Sequence, residues 1–163
     1  MTDTPTLVIR AATLEDGPAL GRLARMLVQV HHDFDAERFI APGPQTEQGY
    51  GRFLVSRIDN AESLLLVAES DGTLVGYVYG AMEGPDYMAL RGPAGVVHDI
   101  IVDPERREGG VGRKLLDAAL TALAERGAPR VVLHTAAKNV TAQRLFEAAG
   151  FRPTMIEMTR DAG

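Results

Sequence analysis

One stretch constrains the architecture more than any other. Residues 96–102 form a nearly continuous apolar run, interrupted only by His98 and Asp99. The run passes through Asp103 and Pro104 into a segment dense in glycine: Glu108, Gly109, Gly110, Val111, Gly112. Such a run, ended by Asp-Pro, reads as a buried strand and its stop. Leu116, Leu120 and Leu123 then recur on one face, so the spacing predicts a helix over 109–126, closed by Gly127 and Pro129. A buried strand fed through glycines into a helix requires a sheet with a helix packed across it.

The turn itself carries chemistry. Backbone N–H groups at a helix start lack partners, and the helix dipole adds positive potential there. Together they suit phosphate groups. Glycines at 109, 110 and 112 remove the Cβ atoms that would hold a ligand away from the backbone. Arg107 and Arg113 flank them and are candidates for charge-assisted contacts. A Walker loop needs Gly-Lys-Ser/Thr, which Arg113-Lys114-Leu115 does not supply, and the dinucleotide fingerprint fails at its last glycine, where Leu115 stands. The pattern that fits is R-x-x-G-x-G at Arg107, Gly110 and Gly112. On this motif alone, a glycine-rich turn with no ligand is the alternative.

Elsewhere the chain alternates between strand and helix patterns. Residues 7–11 read as a first strand. Thr13 and Asp16 form a helix-opening capping box, with Pro18 in the first turn. Leu20, Leu23, Ala24, Leu27 and Val28 make an apolar helical stripe. Residues 31–45 read as polar and irregular, and a second helix follows over 46–58. Strands at 63–69 and 73–82, joined by Asp71-Gly72, predict a hairpin. After the glycine turn and its helix come a strand over 130–135, a helix opened by Asn139 and ended by Gly150, and a last strand over 155–159. The 163 residues fit one domain, 1–163, without repeats or linkers.

Composition excludes several function classes. With no cysteine, a thiol nucleophile, a disulfide framework and a thiolate metal site are ruled out. The N-terminus has no apolar core of a signal peptide, and no apolar run approaches the roughly 18 residues a membrane span needs, so a cytoplasmic location is expected. The net charge of −5 disfavours nucleic acid as a partner and suits a cationic amine.

The motifs together resemble the GNAT superfamily of acyl-CoA-dependent N-acetyltransferases. Arg107-x-x-Gly110-x-Gly112 is similar to the family's R/Q-x-x-G-x-G/A. Ile9-Arg10-Ala11-Ala12 with Asp16 is similar to its opening strand and helix. Val67-Ala68-Glu69 with Val75-Gly76-Tyr77 is similar to its central hairpin. Asn139, Ala142, Leu145, Phe146, Gly150 and Phe151 match its N-x-x-A-x-x-L-Y/F-x-x-x-G-F segment. The resemblance covers essentially the whole chain. It implies an α/β (α+β) fold: a mixed, mostly antiparallel central sheet, splayed between its fourth and fifth strands and flanked by about four helices.

It also implies direct acyl transfer from acetyl-CoA, without a metal, to a primary amine of a small molecule or peptide. Arg107, Glu108, Gly109, Gly110, Val111, Gly112 and Arg113 are expected to grip the CoA pyrophosphate. The backbone of Ile100, Ile101 and Val102 is expected to pair with pantetheine and with the thioester oxygen. Asn139 is a candidate for the cofactor arm, and a helix N-cap in any case. In polyamine acetyltransferases of this superfamily the strand carries Glu-Asp where this chain has His98 and Asp99. Either is a candidate base, and strand alternation puts only one of them in the acceptor cleft. The alternative is that both serve only as hydrogen-bond partners. His134 is a weaker candidate.

Phe146 stands where many relatives have a tyrosine acid, and phenylalanine donates no proton. This substitution motivates a rival reading, a non-catalytic acyl-CoA-binding sensor. A protein N-terminal acetyltransferase is another alternative, and a structural domain with an empty turn a third. His31, His32, Asp33, Asp35 and Glu37 are expected in the acceptor wall, as a cation-attracting loop, a metal-like cluster or a solvated segment. The twelve residues after Phe151 are short for the family's final strands, so a homodimer is expected to complete the wall.

Overall fold

The computed structural model describes residues 4–163. Five strands form one sheet in the order β1-β2-β3-β4-β5: β1 Leu7–Ala11, β2 Ser63–Ser70, β3 Thr73–Glu83, β4 Ala94–Val102 and β5 Val131–Leu133. The first four pair antiparallel, and β5 joins β4 in parallel. α1 (Gly17–Phe34) and α2 (Thr46–Val55) come between β1 and β2, α3 (Val111–Glu125) crosses from β4 to β5, and α4 (Val140–Ala148) follows β5. The β2–β3 turn places both Asp71 and Gly72 at positive φ, 49° and 79°, as Asp-Gly hairpins do.

The sheet separates two apolar layers. Leu20, Leu23 and Leu54 of α1 and α2 pack on Val67, Tyr77 and Ile101. On the other side, Leu115, Ala119 and Leu123 of α3 pack on Val75, Val78 and Val97. Burying each such leucine contributes about 1.5–3 kcal/mol, so both helical layers are held firmly to the sheet.

A charged network fixes where α1 begins. The Thr13 N–H donates to Asp16 Oδ2 at 2.8 Å, the capping contact that the sequence predicts. Arg10 on β1 donates to both Asp16 oxygens, at 2.8 and 3.0 Å, and to Glu69 on β2 at 2.8 Å. Asp16 is buried, and the Arg10 hydrogen bonds hold its carboxyl below the usual carboxylate range. The crossing of α1 and α2 is set by two glycines. A Cβ on Gly21 would stand 2.2 Å from the Glu47 carbonyl oxygen, and one on Gly51 would stand 2.8 Å from that of Gly17. Only bare backbone lets these helices approach so closely.

Four elements differ from the sequence expectation. α1 continues through His31, His32 and Asp33 to Phe34, because the apolar stripe extends from Leu27 through His31, whose ring packs edge-on against Phe34 and Phe39. α2 stops at Val55 and residues 56–58 turn away. α3 begins at Val111, because Gly109 and Gly110 adopt φ of 74° and 69°, which a helix excludes. No strand forms over 155–159. That segment lies exposed without a ladder partner, and Glu157 pairs instead with Arg38 in the α1–α2 connection.

Candidate active site

The sheet opens where β5 ends. β5 pairs only with Gly95, Val96 and Val97, so β4 from His98 to Val102 is bonded on its β3 side alone. The free edge borders a cleft of about 240 Å³, walled by Leu27, His31 and Phe39 on one side and by His134, Asn139 and Phe146 on the other. The splay expected between the fourth and fifth strands is therefore present.

A bulge re-aims β4 at this point. Tyr79 pairs with Asp99 and Gly80 with Val97, which leaves His98 as the extra residue. Its effect is visible on both sides. Ile101 joins the α1–α2 layer, whereas Val97 joins the α3 layer with Val102, although 97 and 101 would share a face in an unbroken strand. The expectation that only one of His98 and Asp99 reaches the cleft is thereby corrected. Both line the cleft, and both also line an adjoining hollow of about 290 Å³ formed with Tyr50, Phe53 and Tyr79.

Asp99 is 9% exposed. Tyr50 Oη donates to its Oδ2 at 2.7 Å, and Tyr77 Oη donates to the same oxygen at 3.0 Å. Burial pushes the carboxyl above the usual carboxylate range, against the two phenolic hydrogen bonds and the nearby His98 and His31, which pull it down. Both phenols are held far above their ordinary range, chiefly by burial and next by the Asp99 charge, so they remain donors. His98 stacks on Tyr79 with ring centroids 5.4 Å apart, and its Nε2 lies 2.6 Å from Glu83 Oε2. This arrangement presents one ionisable carboxylate, fixed by two neutral donors, beside an imidazole oriented by a second carboxylate. It can accept a proton from a bound cation.

Tyr50, Phe53 and Glu83 are absent from the sequence reading, and Tyr77 enters it only as part of the central hairpin, without a role. Tyr77 stands in a readable strand opposite Ile101, and it reaches Asp99 as a diagonal neighbour once the β3–β4 register is known. Tyr50 reaches Asp99 through the α1–α2 crossing, which no local pattern encodes.

The glycine turn follows β4 directly. Asp103 Oδ1 accepts from the Glu105 N–H at 3.0 Å and opens a short turn, and α3 then starts at Val111 with Gly110 as N-cap and no side-chain cap. Nothing lies within 4 Å of a Cβ built on Gly109 or Gly110, so the backbone there is bare and faces open space. Gly112 is different: it is helical, and an added Cβ would make ordinary contacts with Leu145 and Val102. Glu108 is exposed, as is Arg107, which forms no ion pair among the described residues, while Arg113 pairs with Asp117 at 2.9 Å. An uncapped helix start, two left-handed glycines and a free arginine fit a diphosphate.

The remaining candidates divide between core and cleft. Ile101 and Val102 bury their side chains, so only their backbone edge is available, whereas Ile100 borders the cleft. Asn139 caps α4 through the Ala142 N–H at 3.1 Å and also lines the cleft. Phe146 is buried at the cleft and packs edge-on against Phe151. His31 and His32 bond the carbonyls of Leu27 and Phe39, and among the described residues no group of three acidic or histidine side chains is placed to hold a metal ion. No helix among them is long and apolar enough to cross a membrane.

Residues 27–151 match the family model for the acetyltransferase (GNAT) family. The chain belongs to that family. GNAT proteins are acyl-CoA-dependent N-acyltransferases, and the similarities to individual proteins agree in kind. A mycothiol acetyltransferase of Thermobispora bispora is 43% identical over 89 residues, which span 52% of this chain and 28% of that protein. An uncharacterized N-acetyltransferase of Bacillus subtilis is 31% identical over 64% of this chain and 68% of its own length. Among solved structures, the aminoglycoside N-acetyltransferase AAC(6')-Iy in complex with CoA superposes with a TM-score of 0.73 at 18% identity, covering 100% of this chain and 99% of that one. The GNAT fold is thus shared across sequences that have diverged widely.

Proposed function

We propose that this chain, as a single unit over residues 1–163, moves an acetyl group from acetyl-CoA to a primary amine of a small molecule or peptide, directly and within a ternary complex. The observation that carries the reading is a single carboxylate, Asp99, seated where β4 loses its β5 partner, on the strand that leads into the bare glycine turn.

The backbone of Arg107, Glu108, Gly109, Gly110, Val111, Gly112 and Arg113 holds the pyrophosphate of acetyl-CoA, with Arg107 adding charge. The thioester supplies the activated acyl group. The unpaired edge of Ile100, Ile101 and Val102 bonds the pantetheine arm and polarises the thioester oxygen, the stabilisation expected for a tetrahedral intermediate. Asn139 reaches the arm with its free amide nitrogen, and Phe146 packs against it. Asp99 takes the proton of the acceptor ammonium, and His98 bridges to Glu83 at the mouth. A lysine-like amine with pKa near ~10.4 needs such a base at neutral pH. Phe146 offers no proton to the departing thiolate, whose pKa near ~8.5 lets it leave unassisted or with water. The relatives named for mycothiol favour a small-molecule acceptor over a protein N-terminus. The match covers 28% of that relative's length.

The test is release of free thiol from acetyl-CoA against a panel of primary amines. Amine-dependent release is expected for at least one small cationic amine. Acetyl-CoA binding with no amine-dependent release would put the sensor reading in its place.

We further propose that the acceptor wall is completed by a second copy of the chain. The outer edge of β5 has no strand partner among the described residues, and Met155, Ile156 and Met158, in the segment after α4, are 75%, 85% and 89% exposed. Light scattering is expected to give a dimer mass; a monomer mass at working concentration would remove the proposal.

A further inference from the structure

The hydrogen bonds to Asp99 are unevenly distributed. Both phenols, from α2 and from β3, converge on Oδ2. Oδ1 accepts none from the protein, and no buried polar side-chain atom among the described residues is without a partner, so Oδ1 is the oxygen in contact with the cleft. A carboxylate held by one oxygen through two donors cannot rotate without breaking both bonds. Its second oxygen is then fixed in direction as well as in place.

We propose that Tyr50 and Tyr77 are positioning residues: they clamp Oδ2 of Asp99 and reserve Oδ1 for the acceptor ammonium. The inference rests on the acetyl-transfer reading and adds the atom that receives the proton and the residues that aim it. In the step, one N–H bond of the ammonium breaks and an O–H bond forms at Oδ1. The products are a neutral amine, whose freed lone pair can attack the thioester, and a neutral carboxylic acid. Oδ2 keeps both phenolic hydrogen bonds throughout. The hollow in front of Oδ1 is walled by Phe53, Tyr79 and Tyr50, whose ring faces attract an organic cation, together with His98. The acceptor class is therefore an organic ammonium.

The clamp also controls when Asp99 is ionised. The titratable groups facing it are His31 from α1, Tyr50 from α2, Tyr77 and Tyr79 from β3, and His98 beside it on β4. Burial favours the protonated acid, and the two phenols are the largest influences opposing it. Removing either hydroxyl while keeping its ring leaves Asp99 protonated to higher pH.

The experiment titrates the Asp99 carboxyl carbon by NMR in the wild type, Tyr50→Phe, Tyr77→Phe and Tyr87→Phe, the last an exposed tyrosine far from the cleft. The same variants are then assayed for kcat/KM against pH with the best amine of the panel. The expected result is an upward move of the Asp99 midpoint in the first two variants and not in the third. The acid limb of kcat/KM should move with it, giving a roughly tenfold loss at pH 6 that recovers as pH rises, the size expected when a charged group loses one hydrogen bond. An unmoved midpoint in Tyr50→Phe overturns the clamp. So does a moved midpoint with an unmoved acid limb. If Tyr77→Phe does not fold, Tyr50→Phe alone decides. A wild type that turns over no amine defeats the acetyl-transfer reading, an outcome separate from the carboxyl titration.

Discussion

Asp99→Asn is expected to reduce kcat/KM by about 10²–10⁴, the span usual for loss of a general base, while acetyl-CoA affinity stays within about twofold of the wild type. The substitution is close to isosteric. The asparagine oxygen can keep both phenolic hydrogen bonds from Tyr50 and Tyr77, which turns its amide nitrogen toward the cleft. There it can donate but cannot take a proton. The variant should also be no less stable at neutral pH. Burial raises the folded-state pKa of Asp99 above its unfolded value, so the ionised group opposes folding once pH exceeds that unfolded value. The neutral amide removes this cost, and the thermal midpoint at pH 7 should match or exceed that of the wild type. Steady-state kinetics, calorimetry with acetyl-CoA and a thermal melt decide the matter together. Unchanged kcat/KM would remove Asp99 from the chemistry. Lost acetyl-CoA binding would make its role structural.

Gly112→Glu is expected to weaken acetyl-CoA binding by at least about a hundredfold. The position is helical, and its Cβ would meet only Leu145 and Val102 at ordinary distances, so the chain should fold with the new side chain in place. The change puts a carboxylate in the first turn of α3, where the helix start otherwise presents bare N–H groups. One negative charge about 5 Å from another costs about 3 kcal/mol at an effective dielectric near 20, which is more than a hundredfold in affinity. Calorimetric titration of acetyl-CoA into wild type and variant measures it. Equal affinity would place the pyrophosphate elsewhere. Gly110 is a poorer choice for this test, since at φ 69° any side chain strains the backbone and confuses lost folding with lost binding.

The parts of the fold that could be read from sequence are those built from local pattern. Asp71-Gly72 announces its hairpin, Thr13 and Asp16 announce the start of the first helical segment, and the glycines after β4 announce an uncapped helix start. Each depends on residues within one turn of one another; the first two are found as expected, and the helix start lies two residues later, at Val111. The splay and the parallel β5 follow from the family resemblance, not from pattern.

What was hidden depends on long-range contact. His31 reads as a polar residue that ends a stripe, yet its ring is packed between Phe34 and Phe39 and carries α1 a turn further. The run over 155–159 has strand-like composition, but a strand needs an edge to pair with, and here Glu157 is drawn to Arg38. Tyr50 could not be found from sequence because its place at Asp99 depends on how closely Gly21 and Gly51 let two helices approach. His98 and Asp99 were visible as polar interruptions. Their shared orientation was not, because alternation is the rule that a bulge suspends.

The single unpaired residue in β4 acts as a phase shifter. Upstream of it the strand reads in one parity, downstream in the other, so Val97 faces the α3 layer and Ile101 the α1–α2 layer. Without the extra residue, two adjacent polar side chains would fall on opposite sides of the sheet. The same offset turns Val97 into the α3 layer at the place where β5 leaves. Transplanting His98 and Asp99 into a strand of regular pleat would carry the letters across and lose the geometry, with one side chain on each side and nothing between them to share.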